Sequence, residues 1–146
     1  MALAAGLVWH QRLEKDEGYL AVGAWSVANG RLPYRDFVFP QQPYFPLVYA
    51  PLLRMVGPSL AWARALSALL FLALGSLVAL FVRRHAREPG TARWAALFFF
   101  FNTHSLFWYT RARQYVLADL LLFAGLSLVA QARRQAPSRR GTLSCL

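Results

Sequence analysis

The stretch LSALLFLALGSLVALFV, residues 66–82, contains no charged residue. Extended back to Ser59, it is long enough to cross a hydrocarbon core of about 30 Å, which takes roughly 20 helical residues. The one charge in that extension is Arg64, which lies near one end and can extend to the interface. The pattern predicts a membrane-spanning helix at about residues 60–82.

Two further apolar blocks follow, at residues 94–109 and 115–130, and Asp119 interrupts the second. With their flanking residues they predict spans at 93–110 and 114–131. The runs FFFF at 98–101 and LLLF at 120–123 leave no polar face, which disfavours buried helices of a large soluble protein. The expected fold class is therefore all-α, a polytopic bundle of transmembrane helices.

The distribution of charge orients this bundle. The chain carries 16 Lys and Arg against 6 Asp and Glu, a net charge of +10. In a soluble protein this excess would suggest nucleic acid, but here arginines flank the predicted spans, so no nucleic-acid partner is expected. They are Arg83, Arg84, Arg87 and Arg93 after the first span, and Arg133, Arg134, Arg139 and Arg140 after the third. The positive-inside rule places both groups in the cytoplasm.

Four regions result. Residues 1–13 are interpreted as the remnant of a first membrane helix or an interfacial stub, because their apolar part is too short to span. Residues 14–58 form an extracytoplasmic loop with short interfacial helices, residues 59–131 hold the spans, and residues 132–146 form a basic cytoplasmic tail. The single cysteine, Cys145, excludes a disulfide framework within the chain.

The extracytoplasmic loop carries the chemical information. Asp16 and Glu17 precede a predicted short helix, Tyr19 to Ala28, for which Asp16 is a suitable N-cap. Asn29 and Gly30 form a stop signal. Proline is too dense in residues 39–51 for a regular helix, and the interleaved aromatic residues favour an interfacial segment.

The order of these features resembles the N-terminal part of the GT-C glycosyltransferases, and most closely the bacterial branch related to protein O-mannosyltransferases and lipid A aminoarabinose transferases. The resemblance covers roughly residues 16–134. The matching positions are Asp16, Glu17, Tyr19, Gly30, Pro33, Tyr34, Asp36, Pro43, Tyr49, Gly57, Arg64 and Ser67.

The resemblance implies sugar transfer from a polyprenyl-phosphate donor to an acceptor hydroxyl on the outer face of the membrane, with inversion at the anomeric carbon. It assigns Asp16 as the catalytic base, supported by Glu17. A hydroxyl is a weak nucleophile that needs a carboxylate within hydrogen-bond reach, and a lipid phosphate leaving group needs cations. Arg64, Arg111 and Arg113 fall at the outer ends of the spans and are candidates for the phosphate; the alternative is ordinary interfacial placement.

Asp119 is a second acidic candidate. A carboxylate inside a span costs about 2.5–3.5 kcal/mol on insertion scales, which makes a functional role the first hypothesis. In the family that the chain resembles, many members carry a second acidic residue near the start of this helix, and one alignment places Tyr115 there and another Asp119. The alternative is an aspartate paired with arginine or backbone in the bundle. His10, His85 and His104 have no ligand spacing, so no metal site or other cofactor is predicted, and a divalent metal has no support in the sequence.

Two departures from the family pattern matter. Residues 41–44 are QQPY where some relatives have Glu-Lys-Pro-Pro, and the chain has fewer spans than family members. A fragment is therefore expected, without transfer activity by itself. The alternatives are a non-catalytic membrane protein or remnant with this fold, and a transporter fragment with Asp119 on an ion path. The sugar and the acceptor stay open.

Overall fold

The described residues of the chain are 15–88 and 90–135 of a computed structural model, and within them the fold is all-helical. The predicted remnant at 1–13 and the end of the basic tail, 136–146, lie outside these residues. The prediction of an all-α fold is confirmed. The helices are α1 Lys15–Ala28, α2 Tyr44–Val56, α3 Leu60–His85, α4 Thr91–Phe101, α5 Thr103–Tyr109 and α6 Tyr115–Gln135.

Helix α1 extends further toward the N-terminus than the sequence pattern predicted. Lys15 is already helical, so Asp16 lies inside the helix, and its assignment as the N-cap is wrong. Both carboxylates still lie in the first turn, where the helix dipole favours negative charge. The predicted stop is confirmed, because the helix ends at Ala28 and Gly30 adopts a φ of +83° that suits glycine.

Helix α2 forms where the density of proline argued against a regular helix, and that interpretation is corrected. Pro43 precedes the helix and Pro46 occupies its first turn, where a backbone N–H has no intrahelical partner in any case. Pro51 alone lies in the interior. Proline position within the helix, rather than proline count, therefore decided the outcome.

The segment between α1 and α2 folds back onto α1 through Phe39. The ring of Phe39 is buried and stacks on Tyr19 with 5.4 Å between centroids, while the Tyr19 hydroxyl donates to the carbonyl oxygen of Val38 at 3.1 Å. Gly23 makes this approach possible, since a Cβ there would lie 2.6 Å from Phe39 Cε2. The contact fixes the loop against the helix that carries Asp16 and Glu17.

Two helices, α3 over 26 residues and α6 over Tyr115–Arg134, are long and apolar enough to cross a membrane. At a rise of 1.5 Å per residue they measure roughly 39 Å and 30 Å. Within the most apolar 18 residues of each helix, 22% of α3 and 17% of α6 is buried inside the fold. Their apolar side chains therefore mostly point away from the protein core, unlike those of a core helix in a soluble protein.

The segment predicted as one helix over 93–110 is divided into α4 and α5 at Asn102, so its predicted continuity is wrong. Asn102 leaves the helical conformation with φ −69° and ψ 123°, and its side-chain oxygen accepts a hydrogen bond from the backbone N–H of His104 at 2.8 Å. An asparagine side chain competes in this way with the helical bonds of the backbone. Whether this pair of short helices crosses the membrane stays a prediction.

Helices α4 and α5 return the chain, so α3 and α6 begin at the same end of the fold. Glu17 contacts both Arg64, near the start of α3, and Ala112, just before α6. Arg83 and Arg84 close α3 at the other end, as Arg133 and Arg134 do for α6. An apolar cluster around Phe71, Leu74 and Val116 fills the space between these helices.

Candidate functional site

Glu17 and Arg64 form a buried ion pair across 47 residues of sequence. Arg64 Nε lies 2.9 Å from Glu17 Oε1, and Arg64 Nη2 lies 2.6 Å from Oε2. The Glu17 side chain is 0% exposed and the Arg64 side chain is 4% exposed. This two-point geometry is the strongest form of the arginine–carboxylate contact, and it satisfies both oxygens of a carboxylate that burial would otherwise destabilise.

Glu17 also holds the connection between α5 and α6. Its Oε1 accepts a hydrogen bond from the backbone N–H of Ala112 at 2.8 Å. Burial raises the pKa of Glu17, but the Arg64 guanidinium, the Ala112 N–H and the charge of Arg111 outweigh it, and the net pKa is lowered. Glu17 is therefore an ionised residue that connects α1 with α3 and with the loop before α6.

Asp16 points in a different direction from Glu17, because neighbouring residues on a helix differ by about 100° in direction. Its side chain is 58% exposed, and its Oδ2 accepts a hydrogen bond from Arg113 Nη2 at 2.9 Å. Arg113 is 6% exposed. The two adjacent carboxylates thus have different surroundings, one enclosed and one open to solvent with an arginine at its side.

Arg111 and Arg113 both lie against aromatic rings. The guanidinium carbon of Arg111 lies 4.0 Å from the centre of the Phe107 ring, and that of Arg113 lies 4.8 Å from the centre of the Trp108 ring. Such stacking holds a guanidinium in place while its charge stays available to neighbours. The structure thus brings five predicted residues into one group, called here the ion-pair cluster: Asp16, Glu17, Arg64, Arg111 and Arg113.

Two glutamines that the sequence analysis did not select complete the surroundings of Asp16. Gln41 and Gln114 line a cavity of about 10 Å³ together with Asp16, Arg113 and Tyr115. Gln41 drew attention in the sequence only as the place of a missing carboxylate, and Gln114 gave no signal there. Both supply polar groups beside the exposed carboxylate.

Asp119 lies outside the ion-pair cluster. Its Oδ2 accepts a hydrogen bond from the Tyr109 hydroxyl at 2.6 Å, so its partner within the bundle is a tyrosine rather than the arginine or backbone that the sequence suggested. It lines a cleft of about 340 Å³ with His104, Trp108, Tyr109 and Tyr115. Tyr115 lines this cleft and the small cavity at Asp16, so the two neighbour each other.

The start of α2 lies near this cleft as well. Burial, and after it the charge of Asp119, raises the pKa of Tyr44. Further along α2, the buried Tyr49 hydroxyl lies 2.7 Å from Ser67 Oγ on α3, and burial raises the pKa of Tyr49. Tyr49 and Ser67 both belong to the set of positions that carries the family resemblance, and their contact ties α2 to α3.

Among residues 15–88 and 90–135, no three histidine, cysteine, aspartate or glutamate side chains come together as metal ligands would. No family model, curated protein or solved structure matches the chain.

Proposed function

We propose that this chain forms part of a multi-pass inner-membrane glycosyltransferase that moves a sugar from a polyprenyl-phosphate donor to an acceptor hydroxyl on the outer face. The fold supports the proposal through two helices that could cross a membrane and through a charged group where both begin. The basic helix ends lie opposite, as the positive-inside rule asks of a site on the outer side.

One observation carries the proposal: an exposed carboxylate, Asp16, stands beside arginines at this end of the fold. A base for a hydroxyl acceptor has to be reachable from solvent or from the membrane surface, and Asp16 is. A phosphate leaving group needs positive charge close to the same point. Arg113 contacts Asp16 directly. Arg111 lies two residues before Arg113 in the same loop.

The proposed reaction uses these groups as follows. Asp16 takes the proton of the acceptor hydroxyl as its oxygen bonds to the anomeric carbon. The bond from that carbon to the phosphate oxygen breaks, and the lipid phosphate leaves with the electron pair, so the configuration at carbon inverts. Arg111 and Arg113 stabilise the charge that develops on the phosphate. Glu17, enclosed by Arg64, positions the helix and the loop and does not meet the substrate.

The test is Asp16→Asn in an enzyme completed with the remaining membrane helices of a polyprenyl-phosphate-sugar transferase. Asparagine keeps an acceptor for Arg113 but has no useful proton affinity. Because general base catalysis contributes typically 10²–10⁴-fold, the transfer rate should fall by about that factor. Transfer of a radiolabelled sugar in proteoliposomes measures it.

Glu88→Gln is the matched control, since Glu88 is an exposed acid in the turn at the other end of the fold. It should transfer sugar at the unaltered rate. An Asp16→Asn enzyme that inserts normally and keeps more than about a tenth of its rate contradicts the catalytic assignment, given the magnitude above. Asp16 would then be a structural partner of Arg113 and not the catalytic base.

The proposed orientation has its own test, by single-cysteine labelling after replacement of Cys145. Val38 is 87% exposed in the loop between α1 and α2, and Gly90 has open space around it. We expect Val38→Cys to react with a membrane-impermeant maleimide in intact cells, and Gly90→Cys to react only after permeabilisation. The reverse pattern refutes the outer location of Asp16.

A further inference from the structure

The Tyr109–Asp119 hydrogen bond stands between two clefts of similar size. One is the 340 Å³ cleft described above, whose walls are aromatic and polar. The other measures about 300 Å³ and also includes Tyr109 and Asp119. Its remaining walls are apolar: Leu74, Val78, Phe99, Leu122, Phe123 and Leu126.

The two clefts follow one another along the helix axis. On α6, Tyr115 and Asp119 line the first cleft, and Leu122 and Leu126 line the second, one to two turns further on. Asp119 lies about 6 Å from the start of α6, at a rise of 1.5 Å per residue. If α6 crosses the membrane, the polar cleft lies near headgroup depth and the apolar cleft among the acyl chains. This is the order of a phospholipid in the outer leaflet.

The walls of the polar cleft indicate the charge of the headgroup. Asp119 supplies a carboxylate, and the rings of Trp108, Tyr109 and Tyr115 line the same cleft. A carboxylate combined with aromatic faces is the arrangement that recognises an ammonium group. Arg111 and Arg113 lie 6.0 Å and 4.8 Å from the centre of the Trp108 ring and can meet the phosphate of such a headgroup. A glycerol headgroup would leave Asp119 without a cationic partner.

We propose that the joined clefts bind phosphatidylethanolamine, with its ammonium group at Asp119 and an acyl chain between α3 and α6. Charge complementarity selects this occupant, because the ammonium meets the carboxylate while the acyl chain meets the apolar walls. The proposal does not depend on sugar transfer, and a chain without that activity would bind the lipid equally.

The overall charge of the protein makes the expected preference distinctive. A chain with a net charge of +10 attracts anionic lipids such as phosphatidylglycerol without any specific site. A preference for a lipid of zero net charge therefore cannot arise from that general attraction. It requires a local negative group such as Asp119.

Native mass spectrometry of the full chain, presented with equal amounts of competing lipids, tests the proposal. The probes share the same acyl chains and are phosphatidylethanolamine, phosphatidylglycerol and glucosyl diacylglycerol. We expect the chain to prefer phosphatidylethanolamine over the other two by about tenfold, which corresponds to 1.4 kcal/mol. Asp119→Asn keeps the size of the side chain and its contact with Tyr109, and should abolish the preference.

Two further variants locate the site. Asp36→Asn makes the same chemical change at an exposed carboxylate outside the clefts, and should keep the preference. Leu126→Trp places a large ring in the apolar cleft at a side chain that is 58% exposed, so the fold should tolerate it while phosphatidylethanolamine binding falls. Equal or tighter binding of either other lipid by the unaltered chain, or an undiminished preference in Asp119→Asn, overturns the proposal.

Discussion

The ion-pair cluster and the Asp119 clefts each contain a carboxylate, but the two carboxylates differ in how far they are enclosed and hydrogen-bonded. In the cluster, Glu17 is enclosed and both oxygens are occupied by Arg64 and a backbone N–H. In the clefts, Asp119 has a tyrosine hydroxyl on one oxygen and borders open space on both sides. A fully satisfied buried group stabilises an arrangement of helices, whereas a group that borders a cleft can recognise a ligand. This difference separates a structural residue from a binding residue of similar chemistry.

The largest expected effect comes from breaking the enclosed pair. Glu17→Gln leaves the Arg64 charge buried without its counter-ion, and removal of one partner from such a pair costs about 3–5 kcal/mol. Asp119→Asn should lower the free energy of unfolding by less than about 1.5 kcal/mol, since the hydrogen bond from Tyr109 can persist. Unfolding by denaturing detergent measures both.

A double substitution tests whether the loss in Glu17→Gln comes from the unpaired charge of Arg64. Glu17→Gln combined with Arg64→Met removes both charges, and the double variant should be more stable than Glu17→Gln because no uncompensated charge stays buried. Equal losses for Glu17→Gln and Asp119→Asn would remove the distinction between the two regions.

An intermediate effect is expected at Gly75, where α3 meets α4 beside the apolar cleft. A Cβ at this position would lie 2.1 Å from Phe100 Cζ, and the Phe100 ring packs edge-on against Phe71. Gly75→Ala should therefore cost about 1–3 kcal/mol, as overpacking typically does. Thermal unfolding in detergent, with circular dichroism at the helical band, measures the loss.

Gly125 offers the matched control on α6, because a Cβ there meets nothing within 4 Å. Gly125→Ala should stabilise the helix by roughly 0.5–1 kcal/mol. Combining Gly75→Ala with Phe100→Leu should recover part of the loss. Tolerance of Gly75→Ala by itself would mean that α3 and α4 pack more loosely beside the cleft than the structure places them.

The smallest expected effect is the difference in stability loss when each of two tyrosine hydroxyls is removed. The Tyr49 hydroxyl is enclosed with Ser67, while the Tyr109 hydroxyl opens on the clefts with Asp119. Tyr49→Phe should cost about 0.5–1.5 kcal/mol, the usual contribution of a hydrogen bond, and Tyr109→Phe should cost less because its partner stays accessible. A larger loss for Tyr109→Phe, measured by the same thermal unfolding, would contradict the open character of the clefts.

Much of the helical content follows from local sequence. The charge-free block at 66–82 contains no proline, and Asn29 with Gly30 ends α1 where a stop was expected. Two errors have local causes that composition hides. Two of the three prolines in residues 43–51 lie at or before the first turn of α2, where they are compatible with a helix. Asn102 acts as a helix cap and divides the segment predicted as one span over 93–110.

The sequence by itself determined the helices, the long apolar surfaces and the identity of the charged residues, because these depend on neighbours within a few positions. It also singled out Asp16, Glu17 and three arginines, without saying which would meet. Only the tertiary structure decided that Glu17 turns inward to Arg64 and Ala112, at separations of 47 and 95 residues, while Asp16 turns outward to Arg113. Such pairings depend on which helix ends lie together. Glu17 is buried and Asp16 is exposed only once the helices have packed, so local sequence does not determine this difference.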